Sequence, residues 1–132
     1  MAFFFKRLFS TLVFPFSWTI LTIVLLCIPG SPEPGDGFWG LDFGFEYTDK
    51  VVHVILFGGI VLFWGLYSRY KAMQPAGRQI LLFIIFSIAL GVTLEYVQLY
   101  FIPFRSFDRY DIVADSGGAI AAGIFLFFTK QR

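Results

Sequence analysis

Four long apolar stretches, separated by short polar links, constrain this chain more than any other feature. The first runs from Leu8 to Ile28 without a charged residue. The second, Val51 to Ser68, carries only His53 as an ionisable group, and the fourth, Ile112 to Thr129, carries only Asp115. The third begins at Ile80, is interrupted by Glu95 and Gln98, and leaves the helix near Pro103. At about 1.5 Å per residue each is long enough to cross a hydrocarbon core of about 30 Å. Lipid offers no partners to open backbone, so segments of this kind must satisfy their own amides as helices. Strand-like alternation is absent, which argues against a barrel. With 58% hydrophobic and 14% charged residues in 132, there is too little charge to cover a soluble domain of this size. The expectation is an all-α, polytopic membrane protein: one domain over residues 1–132, with four transmembrane helices at about 8–28, 51–68, 80–102 and 112–129.

Lys6 and Arg7 give the first stretch the basic start of a signal peptide. It is nevertheless longer than a usual signal core, no small-x-small cleavage site precedes Pro29, and Leu26 before Cys27 spoils a lipoprotein site. The segment is therefore expected to remain in the mature protein, with Pro15 kinking it.

Charge sets the expected orientation. Lys6, Arg7, Arg69, Lys71, Arg78, Lys130 and Arg132 fall on one side of the membrane with no acid among them. Lys50, Arg105 and Arg109 fall on the other side, together with all nine acids. The positive-inside rule puts both termini in the cytoplasm and the acidic face outside. The outer connection contains PGSPEPGDGFWG, which cannot hold a long helix, and Trp39 there suits the headgroup zone. The inner connection around Gln74–Gly77 is a short turn, which makes the second and third spans antiparallel neighbours. Small residues of the fourth span, Gly117, Gly118, Ala119, Ala121, Ala122 and Gly123, permit close helix packing.

Three polar pairs sit at helical spacing: Asp49 with His53, Glu95 with Gln98, and Asp111 with Asp115. Because the spans alternate in direction, all three reach the same outer depth. Glu95 lies about 22 Å along the third helix, inside the hydrocarbon zone, where an acid is costly and needs a partner. His53, Arg105 and Arg109 are the candidates. A plainer reading of Asp49 and Asp111 makes them helix-start acids that favour the dipole and cap free amides.

These residues resemble a known pattern. Asp49-Lys50-Val51-Val52-His53, Glu95-Tyr96-Val97-Gln98, and Arg105-Ser106-Phe107 followed by Asp111-Ile112-Val113-Ala114-Asp115-Ser116-Gly117-Gly118 are similar to the DK-x-x-H, E-x-x-Q and R-S-F…D-x-x-A-N-x-x-G signatures of the VanZ-like family. Order, spacing and four-helix layout agree, and Asp115 departs where the family often has asparagine. The resemblance implies a bacterial inner-membrane protein, multi-pass, whose namesake is associated with low-level resistance to the glycopeptide teicoplanin.

Three functions follow from the same outer residues. In the first, Asp49, His53, Glu95, Gln98, Arg105, Asp111 and Asp115 form a polar pocket of an envelope protein. Its partners are membrane lipids and a cell-wall precursor or glycopeptide antibiotic, with Arg105 on an anionic headgroup and Glu95 with Gln98 orienting it. In the second, the chain is an intramembrane enzyme on a lipid-linked anionic substrate, with Glu95 or His53 as acid or base. In the third, the polar residues only lock the helices together. No nucleic-acid partner and no cofactor is expected. One histidine and one cysteine argue against a zinc site of several such ligands, so no metal is expected; an oxygen site on Asp49, Glu95, Asp111 and Asp115 is the minor alternative.

Overall fold

A computed structural model describes residues 9–30, 47–71 and 77–129. Lys6, Arg7, Lys130 and Arg132, the acids and Trp39 of the first connection, and the turn at Gln74–Ala76 lie outside the described residues. Four helices lie wholly within the described residues, in order α1 (Val13–Leu26), α2 (Thr48–Tyr70), α3 (Gly77–Phe101) and α4 (Arg109–Phe128). No strand occurs among the described residues. Three of the helices, α2, α3 and α4, are long and apolar enough to cross a membrane.

The first apolar stretch behaves differently from the expected continuous span. Its helix α1 has 14 residues, about 21 Å, and is shorter than the hydrocarbon core. Proline explains the late start. Pro15 lacks an amide hydrogen and its ring clashes with the carbonyl four residues back, so the helix cannot run through Thr11. Helical at Phe9, the chain turns at Ser10–Leu12 and resumes as α1, with Pro15 in the first turn, where its missing donor costs nothing.

Burial is inverted relative to a soluble domain. Large apolar side chains such as Val13, Ile20, Val54, Ile55, Leu81, Leu82, Ile85, Ile124 and Phe125 point outward, while Thr22, His53, Ser87, Glu95, Gln98 and Asp115 are buried. Such a surface suits lipid, where helices hold together by close contact and internal hydrogen bonds rather than by the hydrophobic effect. The tightest contact is α2 against α4. A Cβ on Gly118 would strike the Val54 carbonyl, and one on Gly58 would come within 3.0 Å of the Gly118 oxygen. Across other pairs, Ser87 Oγ donates to the Phe57 carbonyl at 3.1 Å and Trp18 Nε1 to the Leu56 carbonyl at 3.0 Å. Between them lie two apolar clusters, one on Leu26, Leu56, Phe57, Ile60 and Leu94, the other on Val61, Ile80, Ala119 and Leu126.

The helices alternate in direction, so the C-terminal ends of α1 and α3 meet the N-terminal ends of α2 and α4. At the opposite end Arg69 donates to the Leu126 carbonyl at 2.8 Å, supplying a cation and a donor to the last turn of α4. An apolar groove of about 260 Å³, lined by Ile80, Ile84, Ile120, Gly123 and Phe127 among others, opens between α3 and α4 toward that same end. Every described acid lies at the other end, with Lys50, Arg105 and Arg109.

Candidate functional site

His53 stands at the centre of the acidic end. It occupies the second turn of α2 and is 1% exposed, stacked at 16° against the Phe57 ring one turn on. Its Nδ1 lies 2.8 Å from Asp115 Oδ1 of α4. With Asp115 ionised the carboxylate only accepts, so the ring donates from Nδ1, and a neutral ring then carries its lone pair on Nε2. Nε2 faces Asp111 Oδ2 at 3.8 Å and Asp49 Oδ1 at 3.9 Å and has no hydrogen-bond partner among the described residues.

Each of those two carboxylates divides its oxygens. Asp49 Oδ2 and Asp111 Oδ1 take Lys50 Nζ, which also donates to Asp108 Oδ2. Their remaining oxygens face the imidazole. Lys50 therefore links α2 to the start of α4 beside His53. Asp108 is the N-cap of α4: its Oδ1 accepts from the Tyr110 amide at 2.8 Å. The Lys50 ammonium holds the Asp108 carboxyl below its usual range, helped by the Tyr110 amide and opposed by partial burial.

The seven expected site residues divide into two groups. Asp49, His53, Asp111 and Asp115 converge within one cluster. Glu95 is buried beside them, but its partner among the described residues is the backbone: Oε2 accepts from the Asp108 amide at 2.9 Å, where a side chain of His53, Arg105 or Arg109 was expected. Glu95 thus anchors the loop that launches α4. Gln98 does not point into the cluster with Glu95; its Nε2 donates to the Leu26 carbonyl at 2.8 Å and satisfies the end of α1. Arg105 Nε lies 3.4 Å from the Ile28 carbonyl, on the loop after α3. That loop is pinned to the chain after α1 by the Gly30 amide, which donates to the Pro103 carbonyl at 3.1 Å. Phe104, at φ 59°, occupies the left-handed region here, and a Cβ on Gly30 would collide with its carbonyl.

Helix capping also differs from the plain reading. Asp108, not Asp111, caps α4, and α2 starts after Tyr47 without a side-chain cap, whereas Asp49 and Asp111 both stand in the first turns of their helices, where an acid favours the dipole. Lys50, Asp108 and Gly91 were not among the expected site residues. Lys50 had a visible signal, a lone cation next to Asp49 on the acidic side. Asp108 had one too, as an N-cap type just ahead of an apolar run. Gly91 had none, because its role depends on α4: a Cβ there would come within 2.5 Å of Asp115 Oδ2.

Chemically, the cluster offers a tethered imidazole with a free nitrogen, two carboxylates on that nitrogen's side and one ammonium. No protein family, curated protein or solved structure matches this chain.

Proposed function

We propose that this chain is a VanZ-like protein of the bacterial cell envelope, embedded in the cytoplasmic membrane by four spans with both termini inside. Its acidic end works at the outer face. There it holds the polar headgroup of an envelope lipid or cell-wall precursor, and through that contact contributes to resistance to teicoplanin-type glycopeptides. The observation that carries the reading is His53, buried at the end of an apolar bundle with Nε2 unbonded and aimed between two carboxylates. Ionisable groups at such depth are expensive and are characteristic of sites that bind or move something polar. The outward orientation rests on charge: Arg69, Lys71 and Arg78 lie at one end and the acids at the other.

The test is complementation of a deletion strain with His53→Gln, Asp115→Asn and Arg105→Ala, with membrane abundance measured alongside glycopeptide susceptibility. Normal abundance with lost complementation supports the site; full complementation by all three variants rules it out. Reporter fusions after residues 30, 72 and 132 test the sidedness, which fails if the segment after α1 reports as cytoplasmic.

A second reading, an intramembrane enzyme on a lipid-linked anionic substrate, is favoured by the His53–Asp115 pair. A carboxylate on Nδ1 orients an imidazole and raises its basicity, as a general base requires. A lipid precursor that accumulates in the deletion strain and is converted by purified protein supports it. An unchanged lipid profile counts against it.

A further inference from the structure

We propose that Asp49, His53 and Asp111 form a binding site for a single divalent metal ion, Zn²⁺ or Mn²⁺. The proposal stands apart from the headgroup reading: it concerns what the three side chains hold, whatever the protein does next.

Asp49 Oδ1, His53 Nε2 and Asp111 Oδ2 all lie within 4.8 Å of one another. Proximity of acids alone would mean little. What points to a ligand is His53: the ring is 1% exposed, Nε2 has no hydrogen-bond partner among the described residues, and it lies almost equally far from the two oxygens. Asp49 Oδ1 is likewise buried without a partner. An imidazole lone pair and two carboxylate oxygens repel one another unless a proton or a cation lies between them.

The ring is also fixed as a metal ligand requires. Asp115 on Nδ1 selects the tautomer and increases the donor strength of Nε2, the carboxylate–histidine–metal arrangement. Bond lengths of about 2.0–2.2 Å put tetrahedral ligands about 3.3–3.6 Å apart, so the two carboxylate oxygens, at 3.8 and 3.9 Å from Nε2 and within 4.8 Å of each other, must draw in by a few tenths of an ångström toward the ring and by up to about 1.5 Å toward one another to hold an ion. Asp49, 34% exposed and in the first turn of α2, is free enough to supply that movement.

Lys50 does not occupy the position. It binds the opposite oxygens, Asp49 Oδ2 and Asp111 Oδ1, and Asp108. Formally, a divalent ion between Asp49 and Asp111 balances those two acids and Lys50 balances Asp108, leaving the negative charge of Asp115 on the far side of the ring. The nitrogen ligand favours Zn²⁺ over Mg²⁺ and Ca²⁺, which prefer oxygen alone, and the two carboxylates also admit Mn²⁺. Three protein ligands would leave at least one coordination position for an anionic or water-derived oxygen.

The test uses the full chain, tag removed, in nanodiscs, titrated with Zn²⁺ and separately with Mn²⁺ by calorimetry, with X-ray absorption on the Zn²⁺ sample. The expected result is one equivalent bound, with one histidine nitrogen and carboxylate oxygens around the ion. Asp49→Asn is expected to weaken binding more than tenfold, and Asp115→Asn by about 10- to 100-fold. Tyr110→Phe, at the same end, is expected to bind as wild type. His53→Gln abolishes binding; if it does not fold, Asp49→Asn and the absorption spectrum decide. No stoichiometric binding of either ion overturns the proposal. So does binding undiminished in Asp49→Asn, or a first shell without histidine.

Discussion

Asp115 Oδ1 lies 2.8 Å from His53 Nδ1 although 62 residues separate them, because α2 and α4 touch backbone to backbone one turn further along. The distance between two polar side chains at the end of the bundle is therefore set by glycines in its middle. Gly118 admits the Val54 carbonyl, Gly58 admits Gly118, and Gly91 on α3 leaves the space that the Asp115 carboxylate fills.

Gly118 and its neighbour Gly117 separate packing from composition. A methyl at Gly118 drives into the Val54 carbonyl, which belongs to backbone and cannot swing aside, whereas one at Gly117 meets nothing within 4 Å. Gly118→Ala is expected to destabilise the fold by about 1–3 kcal/mol, the usual range for overpacking. Gly117→Ala is expected to be neutral or stabilising by up to about 1 kcal/mol through helix propensity. Thermal unfolding of the two variants in one detergent measures the contrast; equal melting points would refute the crossing.

Gly91→Ala is aimed at the site rather than at the helix crossing. Its methyl would sit 2.5 Å from Asp115 Oδ2, at the end of a side chain that can rotate. Rotation carries Oδ1 away from His53, so the variant is expected to fold, with a modest loss of stability, and to lose the Nδ1 hydrogen bond. In ¹⁵N NMR of histidine-labelled protein the Nδ1–H signal of His53 is expected to move out of its strongly hydrogen-bonded range. An unchanged shift would mean that Asp115 does not depend on Gly91.

Much of this was legible from period and charge. Apolar runs with few interruptions give α2, α3 and α4 to within about three residues, since lipid leaves helix as the only solution. Alternating helices bring Asp49, His53, Asp111 and Asp115 to one end, as their spacing required. Hydrogen-bond partners were another matter. Gln98 and Glu95 share a face, yet one answers a carbonyl of α1 and the other an amide before α4, because both loose ends are buried there and had to be satisfied. Pro15 was visible, but whether a proline kinks a helix or begins one depends on where the first turn falls.

Glu95 distinguishes an acceptor from a charge. Its Oε2 holds the Asp108 amide at 2.9 Å, a role the amide oxygen of glutamine also fills. Glu95→Gln is expected to keep the fold within about 1 kcal/mol of wild type, and Glu95→Ala to lose about 1–3 kcal/mol by leaving that amide unsatisfied. Unfolding in detergent, followed by the yield of monodisperse protein, reads the difference. If both variants lose stability equally, the carboxylate contributes through its charge and not through the amide.

Asp108 combines a cap with an ion pair, and pH separates them. Its carboxyl is held below the usual range, first by Lys50, so the pair adds stability when the acid is ionised in folded and unfolded chains alike. That contribution is fully present above the unfolded value of about 3.9 and disappears as pH falls through the lower, folded value. Asp108→Asn keeps an oxygen for the Tyr110 amide and removes only the charge. Its deficit against wild type is therefore expected to stay constant from about pH 7 to pH 5, shrink below about pH 4 and vanish in stronger acid. Asp108→Ala loses the cap as well and is expected to lie about 1 kcal/mol below Asp108→Asn at every pH. Melting curves of the three proteins across that range check both statements. A deficit of Asp108→Asn that persists unchanged into strong acid would assign the effect to the cap and not to Lys50.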